Sequence, residues 1–141
     1  MADALPTDIQ LEVVTPDRQV VHELVDAVTV PGKHGYLGIL PGHAPLLSEL
    51  APGEIIYTRG ASKHYLAVSW GFAEILPGRV ILLAQTAERA EEIDLTRAEQ
   101  ALARAQEQLG KVGDSSIDRQ RAQEAYQKAL ARLQAARHTG D

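Results

Sequence analysis

The sequence has no cysteine among its 141 residues, which excludes disulfides and thiolate metal sites. Aromatic residues make up only 4% of the chain, so we expect branched aliphatic side chains to fill the core, with Trp70 and Phe72 as its few large members. The most continuous apolar run, Val80 to Ala84, is far too short to span a bilayer. The N-terminal segment MADALPTD carries acids where a signal peptide carries basic residues. We therefore expect a cytosolic or organellar interior, with membrane contact only through partners.

A net charge of -5 argues against general nucleic-acid binding. The composition changes near Glu88: Val, Ile, Leu, Gly and Pro dominate before it, and Ala, Gln, Glu and Arg dominate after it. These compositions favour strands and helices, respectively. The change predicts a β domain over residues 1–89 and a helical region over residues 90–141.

Ile9, Leu11 and Val13 alternate with polar residues, which is the two-residue period of a strand with one buried face. Similar segments recur up to residue 85, separated by turns that carry Pro and Gly. Strands this short and this closely spaced are typical of a sandwich or barrel. The fold class predicted is an N-terminal antiparallel β-sandwich of about ten short strands, followed by an α-helical hairpin.

From Ile93 the apolar period changes to 3.6 residues, as expected for amphipathic helices. GKVGDSS interrupts this pattern, and a short break between two such helices predicts an antiparallel hairpin. Asp94 and Asp118 are suitable N-caps. Because alanines recur on both apolar stripes and bury little area, we expect the hairpin to be weakly held.

Two sequence matches to catalytic motifs are incomplete. HELVD at residues 22–26 lacks the second His of a zinc-binding HExxH helix and lies in a strand pattern. Ser69 in AVSWG is not followed by the helix of a nucleophile elbow. We predict no metal site and no catalytic residue.

Basic residues fall on shared faces of the helices: Arg97 and Arg104 are seven apart, and Lys128 and Arg132 are four apart. Guanidinium groups suit phosphate because they offer several donors in a planar fork. The spacing alone is compatible with a solvated basic edge or with an anion clamp.

Three segments carry a resemblance to a known family: GYLGILPGHAPLL at residues 35–47, AVSWGFAEI at 67–75 and ILPGRVILLAQTAERAEEID at 75–94. With these motifs in order, nearly the whole chain resembles the epsilon subunit of rotary F-type ATP synthases, called delta in mitochondria. The resemblance implies a rotor subunit without an active site of its own, on the cytoplasmic face of a bacterial inner membrane as a peripheral protein.

The resemblance also implies partners. The sandwich would bind the gamma subunit and the polar loops of the c-ring, with Gly38, Pro41, Gly42 and His43 in the contact. The hairpin would lie folded on the sandwich or extend along gamma to the alpha and beta subunits, where it opposes ATP hydrolysis. Tyr36 stands where relatives often carry a polar or acidic residue that faces the ring.

Some bacterial members bind ATP on the folded hairpin through IDxxRA, which is intact here at residues 93–98. The resemblance implies no required cofactor but suggests ATP as a regulatory ligand. Lys128 stands where such binders tend to carry Arg, and an ammonium does not reproduce a bidentate fork. The alternative function is a free-standing nucleotide-binding sensor module with the same fold. The residues suggested for the ATP site are Glu88, Ile93, Asp94, Arg97, Ala98, Arg104, Lys128 and Arg132.

Overall fold

A computed structural model describes residues 5–140. Residues 1–4, which belong to the predicted β domain and to the acidic N-terminal segment, lie outside the described residues, as does Asp141 of the predicted hairpin. Within the described range the chain forms a β-sandwich followed by two α-helices, as predicted.

The sandwich contains eight strands rather than about ten. They are β1 (Ile9–Val14), β2 (Gln19–Val25), β3 (Ala27–Gly32), β4 (Gly35–Ile39), β5 (Leu46–Leu50), β6 (Gly53–Arg59), β7 (Ser62–Leu76) and β8 (Arg79–Arg89). One contribution to this difference is β7, which is a single 15-residue strand rather than short strands.

The strands form two layers, and the long strands β7 and β8 belong to both. The first half of β7 pairs with β6, and its second half pairs with β5. The first layer has the strand order β2-β1-β8-β7-β5. In the second layer β4 pairs with β3, β3 pairs with β6, and β6 pairs with the first half of β7. The pairing of β1 with β8 is parallel, so the sandwich is not wholly antiparallel as predicted.

The change of layer in β7 occurs at Trp70 and Gly71. Trp70 has a φ of 39° and Gly71 a φ of 155°, and a Cβ at residue 71 would lie 1.8 Å from the carbonyl oxygen of Leu83. Glycine is required there because the two strands approach so closely. The prediction that Trp70 and Phe72 fill the core is wrong: Trp70 lies half-buried at the bend, and Phe72 is 51% exposed.

The core between the layers is almost entirely aliphatic, and Tyr57 is its largest fully buried side chain. Arg89 Nη1 donates a hydrogen bond of 3.2 Å to the Tyr57 hydroxyl, and Arg89 Nη2 donates one of 3.1 Å to the carbonyl oxygen of Val20. Burial raises the pKa of the Tyr57 phenol, and the Arg89 hydrogen bond partly opposes that rise. The end of β8 is thereby tied to the core.

The hairpin consists of α1 (Leu95–Gly110) and α2 (Arg119–Ala136), flanked by 3₁₀ turns at Ala90–Glu92 and Arg137–Gly140. The predicted caps are confirmed, since a carboxylate oxygen of Asp94 accepts from the Arg97 backbone N–H and one of Asp118 accepts from that of Arg121, both at 3.1 Å. Among residues 5–140, no helix has the length and apolarity needed to cross a bilayer.

The loop between the helices is closed by Asp114. Its carboxylate accepts hydrogen bonds from the backbone N–H of Ser116 at 2.9 Å and from the hydroxyl at 2.6 Å. These bonds hold the pKa of Asp114 below its ordinary value. The hairpin turn is therefore fixed by local polar contacts.

The hairpin lies folded against the outer face of the second layer, and α2 makes most of that contact. Ala135 of α2 is fully buried in a small cluster with Ala67 of β7 and Ala90, and Tyr65 and Ile93 pack at its edge. Within the hairpin the fully buried positions of α1 are Ala98 and Ala105. Most of the buried positions of α1 and α2 are alanines, and Leu133 of α2 is the larger buried side chain among them.

Candidate functional site

Most of the residues suggested for an ATP site lie at one end of the hairpin and on the neighbouring strand. Arg104 does not, because it lines a groove with Ser116 next to the loop at the other end. Because the helices are antiparallel, the start of α1 with Arg97 lies at the same end as the last turns of α2 with Arg132. Glu88 lies near the end of β8, below α2. The fold therefore brings residues from three separate segments to one region.

Glu88 and Arg132 form the central contact of this region. Arg132 Nε lies 2.9 Å from Glu88 Oε1, and Arg132 Nη2 donates a hydrogen bond of 3.3 Å to Oε2. The side chains are 28% and 17% exposed, respectively. Arg132 Nε is buried and faces the Glu88 carboxylate. Arg132 thus ties the hairpin to the sandwich.

The IDxxRA segment has structural roles in the folded hairpin. Asp94 caps α1, Ala98 is fully buried, and Ile93 packs beside the cluster of Ala67, Ala90 and Ala135. Capping and burial fully occupy these groups in the absence of any ligand. Their role in nucleotide binding stays a prediction.

Arg97, Arg104 and Lys128 have charges that are not neutralised by neighbours. Within the described part of the chain, no carboxylate lies within 4.0 Å of these three cations. Arg97 and Arg104 are exposed on α1, and Arg104 borders a groove between the helices together with Arg121. The folded hairpin thus carries three cations that are without an ion-pair partner among the described residues.

The loop with the predicted partner residues is a tight turn at one end of the sandwich. The His43 backbone N–H donates to the Leu40 carbonyl oxygen at 3.2 Å, and Gly42 has a φ of 89°, which with Pro41 before it is a type II turn. The Gly42 N–H donates to the carbonyl oxygen of Pro77 at 2.7 Å, which joins this loop to the β7–β8 turn.

His43 is held rather than free at this turn. It is half-buried, and its Nδ1 lies 2.6 Å from the Ala44 carbonyl oxygen. Gly38 is exposed on β4, and a Cβ there would meet no atom within 4 Å. Leu40 is the large apolar side chain that this turn exposes, and the sequence reasoning did not single it out.

Sequence reasoning also missed an apolar strip on the outer face of the first layer. We define it as Leu47 of β5, Phe72 of β7, and Ile81 and Leu83 of β8, which line one depression together with the exposed carboxylate of Glu74. Leu47, Phe72 and Leu83 are 69%, 51% and 55% exposed, and Phe72 pairs directly with Leu83. Contiguous exposed apolar surface marks a contact with another molecule.

A signal for this strip is present in the sequence. Leu82 and Leu83 are neighbours in one strand, and neighbouring strand residues point to opposite faces. Leu82 is fully buried, so Leu83 has to point outward. A Leu pair inside a strand of a two-layer sandwich therefore indicates one apolar side chain on the outer surface.

The residues of the two incomplete catalytic motifs make ordinary contacts between neighbouring strands. His22 Nε2 lies 2.9 Å from Gln10 Nε2 on β1, and Asp26 accepts from the Gly60 N–H at 2.6 Å. Ser69 is fully buried and hydrogen-bonded to Thr86. In residues 5–140 no three His, Asp or Glu side chains come together as a potential metal site.

Comparison with known families matches both parts of the chain. Residues 8–90 match the model of the ATP synthase delta/epsilon chain β-sandwich domain, and residues 91–137 match that of the long α-helix domain. The chain belongs to the ATP synthase delta/epsilon family. The two family models meet one residue beyond the end of β8.

Relatives in the delta/epsilon family include bacterial proteins over most of the chain. The ATP synthase epsilon chain of Herpetosiphon aurantiacus is 50% identical over 129 residues, which cover 92% of this chain and 94% of that one. That of Koribacter versatilis is 55% identical over 100 residues, covering 71% and 70%.

A solved structure adds an assembly to this comparison. A chain in the cryo-EM structure of the Euglena gracilis mitochondrial ATP synthase, OSCP/F1/c-ring, matches with a TM-score of 0.82 and 29% identity, covering 96% of this chain and 85% of that one. A delta/epsilon fold of both parts is therefore present within an assembled enzyme.

Proposed function

We propose that the chain is the epsilon-type rotor subunit of a bacterial F-type ATP synthase and couples ion flow through the c-ring to ATP synthesis. The observation that carries the proposal is the match of both the sandwich and the hairpin to the delta/epsilon family over residues 8–137. The subunit has no active site of its own and works through its partners. It lies on the cytoplasmic face of the inner membrane, which it contacts only through the complex.

The apolar strip is the surface that we assign to the gamma subunit. Its exposed Leu47, Phe72 and Leu83 would be covered in a central stalk, and about 25 cal/mol is gained per Å² of apolar surface removed from water. A groove of about 600 Å³ beside Trp70 adjoins the strip through Phe72 and Leu83. A larger apolar side chain of the partner has room there.

The turn at Leu40–His43 and the neighbouring Gly38 are assigned to the c-ring. The turn is rigid because Gly42 is bonded to the β7–β8 turn, so a force applied there moves the sandwich as a body. The half-buried His43 contributes to the shape of this turn, and the exposed Leu40 supplies contact area.

The hairpin is the regulatory part in this proposal. It would leave the sandwich, extend along gamma and bring the basic residues of α2 to the alpha and beta subunits, where it opposes ATP hydrolysis. The alanine-lined surfaces support this because they bury little apolar area and are separated at modest cost.

ATP is the ligand that we propose for the folded hairpin. Arg97, Arg104 and Lys128 supply positive charge without an ion-pair partner among the described residues, and Arg132, paired with Glu88, lies at the same end of the hairpin as Arg97. Binding to the folded form only would stabilise it by about 2.7 kcal/mol at a hundred times the dissociation constant. Calorimetric titration with MgATP measures this. Lys128→Arg should tighten binding, whereas Arg59→Lys at the end of β6 should not. The absence of any heat at millimolar MgATP would contradict ATP as the ligand.

The rotor role is tested by reconstitution of the full chain with gamma. Phe72→Glu and Leu83→Glu place a charge in the strip and should weaken gamma binding by at least tenfold. Val112→Glu is the matched control, because Val112 is 87% exposed in the hairpin loop, away from the strip. Wild-type binding by both Glu variants would contradict the assignment of the strip.

The alternative of a free-standing nucleotide sensor has a separate prediction. A sensor needs the hairpin but not the segment at residues 31–47, whereas a rotor subunit needs both. Replacing Leu40 by Gln should lower ATP synthesis in membrane vesicles if the rotor role is correct, and should leave MgATP binding by the isolated chain unchanged.

A further inference from the structure

The C-terminal end of α2 carries a side-chain contact that belongs to none of the surfaces assigned above. His138, in the 3₁₀ turn after α2, stacks on Tyr65 of β7 with ring centroids 3.6 Å apart and planes inclined by 9°. Its Nε2 lies 3.1 Å from Glu54 Oε2 on β6. A single imidazole thus contacts two strands of the second layer.

The contact is placed at the outer limit of the hairpin interface. His138 is 32% exposed and Glu54 14% exposed. The Thr139 hydroxyl donates to the Ala136 carbonyl oxygen at 2.7 Å and closes the turn that carries His138. Tyr65 also packs beside the buried Ala135 cluster. Separating α2 from the sandwich therefore requires His138 to leave both Tyr65 and Glu54.

Among the described residues, few charged or titratable groups lie around His138. Glu54 is the carboxylate in contact with it, and the Glu54 backbone N–H donates to the Tyr36 hydroxyl of β4 at 3.0 Å. On β7 the Lys63 ammonium lies 5.9 Å from the Tyr65 ring centroid. The 3₁₀ turn before α1 carries Glu91 and Glu92, and Glu92 is paired with Arg18. Arg137 is the cation on the turn of His138 itself.

We propose that His138, Tyr65 and Glu54 form a proton-sensitive latch that holds the hairpin in its folded position. Neutral imidazole donates one hydrogen bond to Glu54, whereas imidazolium forms an ion pair with it. Imidazolium is also attracted to the electron-rich face of the Tyr65 ring, as other cations are. Both contacts of the latch are therefore stronger when His138 is protonated.

The direction of the effect follows from these two contacts. The added hold is present while His138 is protonated and is lost as the pH rises and the imidazole becomes neutral. Its meaning for the enzyme rests on the regulatory role proposed above, because a latched hairpin is kept away from the catalytic subunits. The latch itself is a property of the isolated chain.

The test uses the absence of cysteine, which lets two introduced thiols be labelled without competition. Ala61→Cys on the β6–β7 turn and Gln127→Cys on α2, both at exposed positions, report docking of the full chain by energy transfer. The ratio of docked to undocked molecules is measured from pH 5.5 to 8.0, at a urea concentration that populates both. We expect the ratio to be about three- to fivefold higher at pH 5.5, since charge-assisted hydrogen bonds exceed neutral ones by about 1 kcal/mol.

One variant removes the proton dependence, one reduces it and one retains it. His138→Gln keeps a donor for Glu54 but has no titrating group, so it should make the ratio independent of pH. Glu54→Gln removes the ion pair but leaves His138 stacked on Tyr65, so it should reduce the pH dependence without abolishing it. His64→Gln is the matched control, because His64 also stacks on a tyrosine, Tyr57, at 4.8 Å, but does not touch the hairpin. Circular dichroism confirms the fold of each variant.

A pH-independent ratio in the wild type, or an unchanged pH dependence in His138→Gln, would overturn the latch. Either result leaves the rotor role intact, because gamma binding through the strip is measured separately. Conversely, a failure of gamma binding leaves the titration of the isolated chain interpretable.

Discussion

The sandwich and the hairpin bury side chains of different sizes. The sandwich core is filled by residues such as Ile55, Leu66 and Leu82, each fully buried, whereas the fully buried positions of α1 are Ala98 and Ala105. A fully buried Leu contributes about 1.5–3 kcal/mol and a methyl group about 0.8 kcal/mol. The same chain therefore contains one part held by large buried side chains and one part held mainly by small ones.

The two parts also differ in how their elements are joined to the rest of the molecule. The sandwich is joined by strands that cross between its layers, and the hairpin is attached to it by a few contacts: Glu88 with Arg132, Glu54 with His138, and the Ala135 cluster. Variants that affect one part should therefore leave the other largely unchanged.

The largest effect is expected at the bend of β7. Gly71→Ala would place a Cβ 1.8 Å from the Leu83 carbonyl oxygen at a φ of 155°, so we expect a loss of more than about 4 kcal/mol in the free energy of unfolding. Gly60→Ala is the control, because Gly60 has a φ of 60° but open space around it; it should cost about 1–2 kcal/mol. Urea denaturation measures both, and a natively stable Gly71→Ala would contradict the role of the bend.

The next effect compares buried side chains in the two parts. Leu82→Ala should cost about 2–5 kcal/mol, whereas Ala129→Gly in α2 should cost about 1 kcal/mol. Trp70, the single tryptophan, reports the sandwich by fluorescence, and far-UV circular dichroism reports the helices. If both probes give the same transition in every variant, the chain unfolds as one cooperative unit and the distinction between the parts fails.

A smaller effect is expected when the hairpin is removed. A fragment of residues 1–92 keeps the whole sandwich and the ion pair of Arg18 with Glu92. It should fold, with a free energy of unfolding lower by less than about 2 kcal/mol, because each buried methyl group that is lost contributes about 0.8 kcal/mol. It should also bind gamma as the full chain does. Thermal unfolding measures the stability; an unfolded fragment would show that the sandwich depends on the hairpin.

The smallest effect is expected at Asp94, where two substitutions distinguish capping of α1 from the contribution of the negative charge. Asp94→Ala should cost about 1 kcal/mol of helix stability, whereas Asp94→Asn should cost less than about 0.5 kcal/mol because Asn caps equally well. Helix content by circular dichroism checks the cap, and MgATP titration of the Asn variant checks the charge. Equal losses of helix in both variants would mean that Asp94 acts by something other than capping.

Local patterns predicted the elements of this protein better than its contacts. The alternation of β1 and the change to a 3.6-residue period after Ile93 correctly indicated the sandwich and the hairpin, because each pattern reflects the geometry of one element. The continuity of β7 could not be predicted in this way. Gly71 reads as a turn, and only the pairing with β8 shows that it carries a strand from one layer to the other.

The same limit applies to the candidate sites. The cap role of Asp94 was predictable from sequence, and the neighbours of Arg132 were not, since Glu88 is 44 residues away. Phe72 was assigned to the core because of its size, although its face of the strand is the outer one. Which face a strand turns to solvent depends on the layer that covers it, and that is a property of the whole fold.

The two crossing strands have a mechanical consequence. Phe72 in the strip and Ala67 below the hairpin lie on the same strand β7, and Leu83 and Glu88 lie on the same strand β8. A displacement of the strip is therefore transmitted to the surface below α2 along the backbones of β7 and β8. A continuous strand is stiffer than a contact between packed side chains. The bend at Trp70 and Gly71 lies between the strip and the strands below α2, so a displacement of either surface is transmitted through this bend to the other.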